Sequence, residues 1–591
     1  MMPRPARAPN WWTATAVAVV ASLVALAFQQ GVRTAWQVRS LPERVMEWLL
    51  VFVPLDLFER GLQQFGANAK DIALVGTQAG MATLLIAVGA LTVRAGSSAW
   101  LALLVGIGLW LFAMVVVMPV TGAGLFAIGL FVSPVLTDAS YLFVFGGYSV
   151  VLALGTALVY RSDRAAPGQP HGSANLQRRT VLGGLAGLVA TVAAYGAARA
   201  AAGSGGVVQS SLPLASPPTS IPTPTEAATA TPAAGISDAA QAATPSATPT
   251  TAVSPNPTAA PAAFPTPPPA RALARDQEGS LTAARRAPGS LAPAITSNQD
   301  FYIVTKNAVA DPVVDADGWR LIIDGEVERP VQVDYATLTG LPVVEITKTL
   351  ECISNLTAGC EMASFGCDLI STAVWRGARL SDVLNLAGGL KSNVVTLAFT
   401  SMDEFSSALP REAVLDPDAL VVYEMNGQVL PREHGYPARL LVPGRYGMKN
   451  PKWLAGIRAL DQPFVDWYQQ RGWTRDGIVK TMSRIDVPAD GASLPSGPQR
   501  VAGIAYAGNR GIQLVEVSAD GGTTWQPVSL LEPAPGKDAM VRFEGRFEMS
   551  DTPVTLVVRA TDGTGVVQPE DFGLPAPDGA WGQDSIQVMP A

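Results

Sequence analysis

One thiol, one imidazole and a dense set of fixed cations mark where this chain can do chemistry. Cys352 lies in Thr349-Leu350-Glu351-Cys352-Ile353-Ser354-Asn355. Further along, the run from Pro431 to Trp453 carries His434, Arg439, Arg445, Lys449 and Lys452, interleaved with Gly435, Gly444, Gly447, Pro437, Pro443 and Pro451. A thiolate is a soft anionic metal ligand. Arginine and lysine hold phosphate oxygens, and glycine lets the backbone approach a ligand closely. Together the two runs fit a thiolate-ligated, phosphate-bearing cofactor. A solvated basic loop would carry the same charges, but cations alternating with glycine and proline suit a packed ligand loop better. A lone cysteine in an apolar strand is otherwise a small core residue.

The chain has 591 residues, with 3 Cys and 2 His. Three cysteines cannot all pair, so one is free or bound to something. Two histidines, His171 and His434, exclude a His-rich metal site. The length calls for more than one folded unit. Composition is 48% hydrophobic and 15% charged, with a mean hydropathy of +0.25, which points to membrane segments. The net charge is −7, and no basic stretch is interleaved with aromatics, so nucleic acid is not an expected partner.

The elements that must position this chemistry fall into four segments. Residues 1–202 read as an all-α membrane region of about five to seven helices. Uncharged apolar runs cover Trp12 to Phe28, Ile72 to Val93, Ala95 to Thr137, Tyr141 to Tyr160 and Val181 to Ala198. Trp48 to Phe58 is short and contains Pro54 and Asp56, so it reads as interfacial or re-entrant. Arg94, Arg161, Arg164, Arg178 and Arg179 fall on one side, which the charge bias makes cytoplasmic, so the chain exits outward near residue 200. The side of the N-terminus depends on whether Trp48–Phe58 spans. No apolar run contains histidine, so a haem or quinone partner would have to be another protein.

Residues 203–295, dominated by Pro, Thr, Ala and Ser, read as a disordered linker. Residues 296–480 read as an α+β domain, with strands at Trp319–Gly325, Val394–Phe399 and Ala419–Tyr423 and a helix from Leu380 to Leu386 stopped by Gly388-Gly389. In residues 481–591 helix signals vanish. Ile512–Ser518, Val541–Met549 and Val554–Ala560 alternate with period two between turn signals, which argues for an Ig-like β-sandwich.

The motifs resemble the sulfite oxidase family of molybdopterin-dependent oxidoreductases. Leu350-Glu351-Cys352-Ile353-Ser354-Asn355, followed by Trp375-Arg376-Gly377-Ala378-Arg379-Leu380-Ser381-Asp382-Val383-Leu384, looks like the family's cofactor loop and following helix. The Pro431–Trp453 run is similar to its second signature, and Asp520-Gly521-Gly522-Thr523-Thr524-Trp525 to its C-terminal dimerisation domain. The resemblance covers residues 296–588. It implies molybdenum-molybdopterin as cofactor, with Cys352 as the metal ligand, and oxygen-atom transfer on a small substrate. It places Asn355, His434, Arg439, Arg445, Gly447, Lys449 and Lys452 around the pterin and Tyr446 at the substrate funnel. It also implies that the β-sandwich makes homodimer contacts or lids the site. Electrons would pass to a separate electron-transfer protein or a quinone-linked partner.

Cys360 and Cys367 lie in what looks like an insertion relative to the family; a disulfide between them is the simplest outcome, and Cys352 paired with either is the competing one. Where the family has an arginine shortly after Cys-x-x-Asn, Leu356 and Thr357 follow Asn355, and Phe301–Asn307 stands where the family has Arg-Asn-His. Arg376, Arg445 and Lys449 are the candidates to replace that charge, and the substrate stays open. Arg178-Arg179-Thr180-Val181-Leu182 is similar to a twin-arginine export signal, a route that suits a domain carrying its cofactor already folded. The expected protein is anchored in the cytoplasmic membrane with its catalytic domains outside. The alternative class is a cofactor-free binding module on a membrane-anchored stalk.

Overall fold

The computed structural model describes residues 8–53, 57, 68–96, 98–130, 134–162, 287–307, 311–360 and 366–591. The apolar run at Val181–Ala198, the Arg178-Arg179 pair and the linker up to residue 286 lie outside the described residues.

Among the described residues, four helices are long and apolar enough to cross a membrane. They are α1 (Trp11–Trp36), α3 (Asn68–Ala95), α4 (Ala99–Phe112, continuing to Val120) and α5 (Pro134–Ser162). Small residues of α1 at helical spacing, Ala14, Ala18, Ala21 and Ala25, are buried. They let the backbones approach closely. A Cβ on Gly89 would lie 2.8 Å from Ala18 Cβ, and one on Gly106 would lie 2.4 Å from Ser149 Cβ. Leucines such as Leu84, Leu91, Leu104 and Leu154 face outward and exposed, the pattern of helices with apolar surroundings.

Trp11, Arg94 and Tyr160 meet at one end of this bundle. The Arg94 guanidinium lies 4.1 Å from the Trp11 ring centroid and donates to Pro9 O at 2.7 Å. The Tyr160 hydroxyl donates to Val93 O at 3.0 Å. At the opposite end Tyr141 donates to Arg39 O at 2.7 Å. Here the short helix α2 (Leu41–Leu50) begins with a reciprocal capping box between Ser40 and Glu43. The Trp48–Phe58 run is thus the end of a ten-residue helix and a following turn as far as it is described, too short to span.

The α+β region holds two sheets. The first has the order β2 (Val331–Asp334), β1 (Arg320–Gly325), β10 (Leu454–Leu460), β5 (Thr396–Ser401), β6 (Ser406–Pro410), with β1 and β10 parallel. The second runs β3 (Val343–Glu351), β4 (Ile370–Arg379), β7 (Leu420–Met425), β8 (Gln428–Val429), with β9 (Arg439–Leu441) also paired to β7. Helix α6 (Leu380–Asn385) follows β4, as its glycine stop predicts. Trp375, fully buried on β4, donates to Lys348 O at 3.1 Å and packs edge-on against Phe301.

The first strand of the β-sandwich begins at Met482. One sheet has the order β11 (Met482–Val487), β13 (Gly497–Tyr506), β17 (Val541–Met549), β16 (Ser529–Leu530); the other β12 (Ser493–Leu494), β19 (Asp584–Pro590), β18 (Val554–Asp562), β14 (Ile512–Ser518), β15 (Gln526–Pro527). Val501, Val515, Phe543, Leu556 and Val558 fill the space between them. Residues 287–295, expected in the linker, belong instead to the folded unit. Ala292 is buried and its amide donates to the Asp486 carboxylate at 2.8 Å, an anchor that composition does not reveal.

The β4–β7 register shifts between Arg376 and Gly377, and a Cβ on Gly377 would lie 2.2 Å from Val421 O and 2.5 Å from Val422 Cα. Both are backbone atoms of a paired strand. Gly377→Ala should therefore cost about 1–3 kcal/mol, read as a lower urea midpoint for the tryptophan fluorescence transition.

Candidate cofactor site

Cys352 stands one residue beyond the end of β3, where the loop to β4 is tightly specified. Its amide donates to Leu369 O and its carbonyl accepts from Asn355 N, both at 2.9 Å. The Asn355 side chain donates to Glu351 Oε1 at 2.9 Å and accepts from Leu369 N at 2.9 Å. Asn355 thus shapes the loop and stays out of the pocket lining. Cys360 and Cys367 form a disulfide, which leaves Cys352 as the free, buried thiol. Burial pushes that thiol up from its ordinary pKa, so coordination to a metal is what would favour its thiolate.

The thiol faces a pocket also lined by Tyr302, Lys306, His434, Arg439 and Lys452. Arg439 is the most telling of these. It lies on β9, 4% exposed, with its guanidinium 5.3 Å from the Trp375 ring centroid. It donates to His434 O at 3.0 Å and Asn450 O at 2.9 Å, while its Nε has no hydrogen-bond partner among the described residues. Burial pushes its pKa down to about 10. A buried cation satisfied only by carbonyls calls for an anion.

Lys452 repeats the pattern. Its ammonium donates to Val304 O at 3.2 Å and Glu433 O at 3.0 Å and lies 4.3 Å from the Trp453 ring centroid. Burial lowers its pKa. His434, on a short 3₁₀ turn, places Nε2 3.2 Å from Asn298 O and its ring edge-on to Phe301. Gly447 lets the Tyr302 hydroxyl approach the backbone closely, since a Cβ there would lie 2.7 Å from it. A soft thiol facing partly unsatisfied cations in one pocket fits a metal-bearing, phosphate-bearing group.

Other expected residues lie elsewhere. Lys449 is fully buried and paired with Asp466, with Ala408 O at 3.4 Å, so its charge is already compensated. Arg445 donates to Asp476 O at 2.8 Å. The buried Tyr446 hydroxyl accepts from Lys480 N at 3.2 Å. Arg376 pairs with Glu424 at 3.0 Å on the exposed side of β4. None of the four lines the pocket, because each has a fixed partner in the scaffold. The pocket instead includes three residues the motifs did not single out: Tyr302, Tyr468 and Lys306. Burial drives both tyrosines well above their ordinary pKa, with the Cys352 sulfur adding to the shift. In sequence, the Phe301–Asn307 stretch stands out for lacking the expected Arg-Asn-His. Its Lys306 was the available signal.

Comparison with known proteins agrees with this geometry. The profile described as "Oxidoreductase molybdopterin binding domain" matches residues 308–468, and "Mo-co oxidoreductase dimerisation domain" matches residues 466–574. Sulfite oxidase of Gallus gallus is 31% identical over 317 residues, covering 47% of this chain and 68% of its own length. The chain belongs to the sulfite oxidase family. Mitochondrial sulfite oxidase of Mus musculus is 30% identical over 345 residues, covering 50% of this chain and 62% of the mouse protein. The chain therefore spans less than two thirds of that relative. The solved sulfane dehydrogenase SoxCD of Paracoccus pantotrophus is 27% identical over 48% of this chain and 76% of its own, with a TM-score of 0.43. The cofactor of the family's molybdopterin-binding domain is molybdenum-molybdopterin, and the residues around Cys352 suit it.

The two kinds of cation should separate on substitution. Arg439→Gln is expected to keep the fold and lose bound pterin. Lys449→Gln strands the buried Asp466 carboxylate and should cost about 3–5 kcal/mol, read as a lower unfolding midpoint. Alkylation of the denatured, non-reduced chain should label one cysteine, Cys352; labelling of Cys360 or Cys367 would contradict the disulfide.

Proposed function

We propose that this chain is a membrane-anchored, molybdopterin-dependent oxidoreductase that transfers an oxygen atom to or from a small substrate outside the cytoplasmic membrane. The observation that carries the reading is the free thiol of Cys352 opening onto the same pocket as Arg439, whose buried charge has no carboxylate partner among its hydrogen bonds. In this reading Cys352 holds the metal, and Arg439, Lys452 and His434 hold the pterin. Bound molybdenum supplies the two-electron redox chemistry. Tyr302 and Tyr468 wall the space above the thiol and exclude water. The β-sandwich, matched by the dimerisation profile, makes contacts between two copies, and a separate electron-transfer protein or quinone-linked partner exchanges electrons.

The external placement is supported by charge. Arg94, Arg161, Arg164, Arg178 and Arg179 belong to the bundle end where Trp11 and Tyr160 meet, or to the sequence just beyond it. The charge bias makes that end cytoplasmic. The catalytic region contacts the other end, through the α2 segment. On this reading the N-terminus is cytoplasmic too.

Metal and pterin analysis of the purified full-length chain, from cells that synthesise the cofactor, tests the assignment. Near one molybdenum per chain is expected, with no turnover of sulfite, S-oxides or N-oxides in Cys352→Ser. A well-folded, molybdenum-free wild-type protein would sink the enzyme reading and favour a binding module.

A further inference from the structure

The segment from Gln37 to Glu47, between α1 and the end of α2, does more than tether the catalytic region. It touches three loops, and each carries pocket-lining residues. Gln37 exchanges hydrogen bonds with the backbone of Val313, at 2.9 and 2.8 Å, just after the loop that holds Thr305 and Lys306. Arg44 pairs with both carboxylate oxygens of Glu404 at 2.8 and 2.6 Å, and Arg39 approaches the same carboxylate at 3.6 Å. Glu404 has φ of 65°, unusual for a residue with a side chain, and sits between the lining residues Asp403 and Phe405. Arg471, beside the lining residue Tyr468, donates to Glu47 O at 3.0 Å.

Glu47 reaches furthest. Its carboxylate pairs with Arg39 and lies 3.6 Å from the ammonium of Lys306, which is itself 3.8 Å from Asp403. The Lys306 Nζ is buried without a hydrogen bond among the described residues, yet Lys306 lines the cofactor pocket. Burial alone would raise the Glu47 pKa, but Arg39 and Lys306 hold it down near 2, so it is ionised. A carboxylate from the membrane region thus offsets the charge of a cation in the pocket wall.

We propose that α2 of the membrane region backs the wall of the active site from behind, and that Glu47 is a positioning residue that sets, through the lining residue Lys306, how strongly the pocket accepts an oxyanion. The inference rests on the pocket being the cofactor site proposed above. Removing Glu47 leaves Asp403 as the one carboxylate beside Lys306 among the described residues, so the net charge of this wall becomes more positive and favours anions; removing Lys306 does the reverse.

Two measurements on the molybdenum-loaded full chain test this. Calorimetric titration with sulfate, an unreactive oxyanion, should show roughly tenfold tighter binding in Glu47→Gln than in wild type. Binding should be correspondingly weaker in Lys306→Gln and no tighter in the double variant than in Lys306→Gln. Wild-type affinity in Glu47→Gln would overturn the proposal. Should that variant fail to fold, wild-type affinity in Lys306→Gln, which keeps the Arg39–Glu47 pair, would overturn it equally.

For the docking, a protease site inserted near residue 240 is cut in detergent. The two halves should stay together in wild type, separate in Glu404→Arg and rejoin in Glu404→Arg/Arg44→Glu. Wild-type halves that separate would refute the shared wall. Molybdenum content measured on the same samples distinguishes the failures. No metal sinks the oxidoreductase reading, whereas metal present with unchanged sulfate affinity sinks only this one.

Discussion

A buried guanidinium with no carboxylate hydrogen-bonded to it among the described residues governs the organisation of the catalytic region. Arg439 is held by Trp375 from one strand and by the carbonyls of His434 and Asn450 from two loops. Carbonyls orient a cation but do not neutralise it, so the desolvation cost persists until an anion arrives. The neighbouring structure reads as preparation for that arrival. The Asn450 side chain holds Val442 N at 2.7 Å and Tyr446 O at 2.8 Å, fixing the loop that presents Gly447. Any ligand phosphate meeting Arg439 would find its partner already in place, with little ordering left to do.

Elsewhere the chain uses buried charge oppositely, as internal pairs that bind parts together. Lys348, on β3, pairs with Asp538, whose carboxylate also accepts from Gly444 N at 2.9 Å and Tyr506 at 2.7 Å. One carboxylate therefore joins the strand leading to Cys352, the cation-rich loop and the first sheet of the sandwich. Lys449 and Asp466 do the same for the loop and the turn leading to Tyr468. Lys348 and Lys449, each paired with a carboxylate, serve the scaffold, whereas Arg439 and Lys452, held by carbonyls, line the pocket.

This division explains what the sequence could and could not reveal. Burial of Val541, Phe543, Phe547 and Met549 follows the period-two alternation of Val541–Met549, because alternation records burial directly; Ile512–Ser518 is also a strand, but its register shifts between Ile512 and Leu514 and Leu514 is exposed. Cys352, His434, Arg439 and Lys452, which line one pocket, were legible in the sequence as candidates because their types suit one chemistry. Arg445 and Lys449 belong to the same run, but their charges are taken up by Asp476 O and the Asp466 carboxylate, partners that the run itself does not contain. Lys306 was missed for the converse reason. Its position in the pocket depends on Glu47 and Asp403, far away in the chain, and its own neighbours form no cation-rich motif.

The Arg44–Glu404 pair joins residues 360 positions apart, which sets an order of assembly. Arg44 is made long before Glu404, and a contact so distant in sequence forms only when the intervening chain has been placed. Until the late-folding half arrives, Arg39, Arg44 and Glu47 lack their partners on that half and stay open to water. Closure of this seam thus marks completion of the fold: a chain arrested before docking displays a charged surface that the finished protein hides.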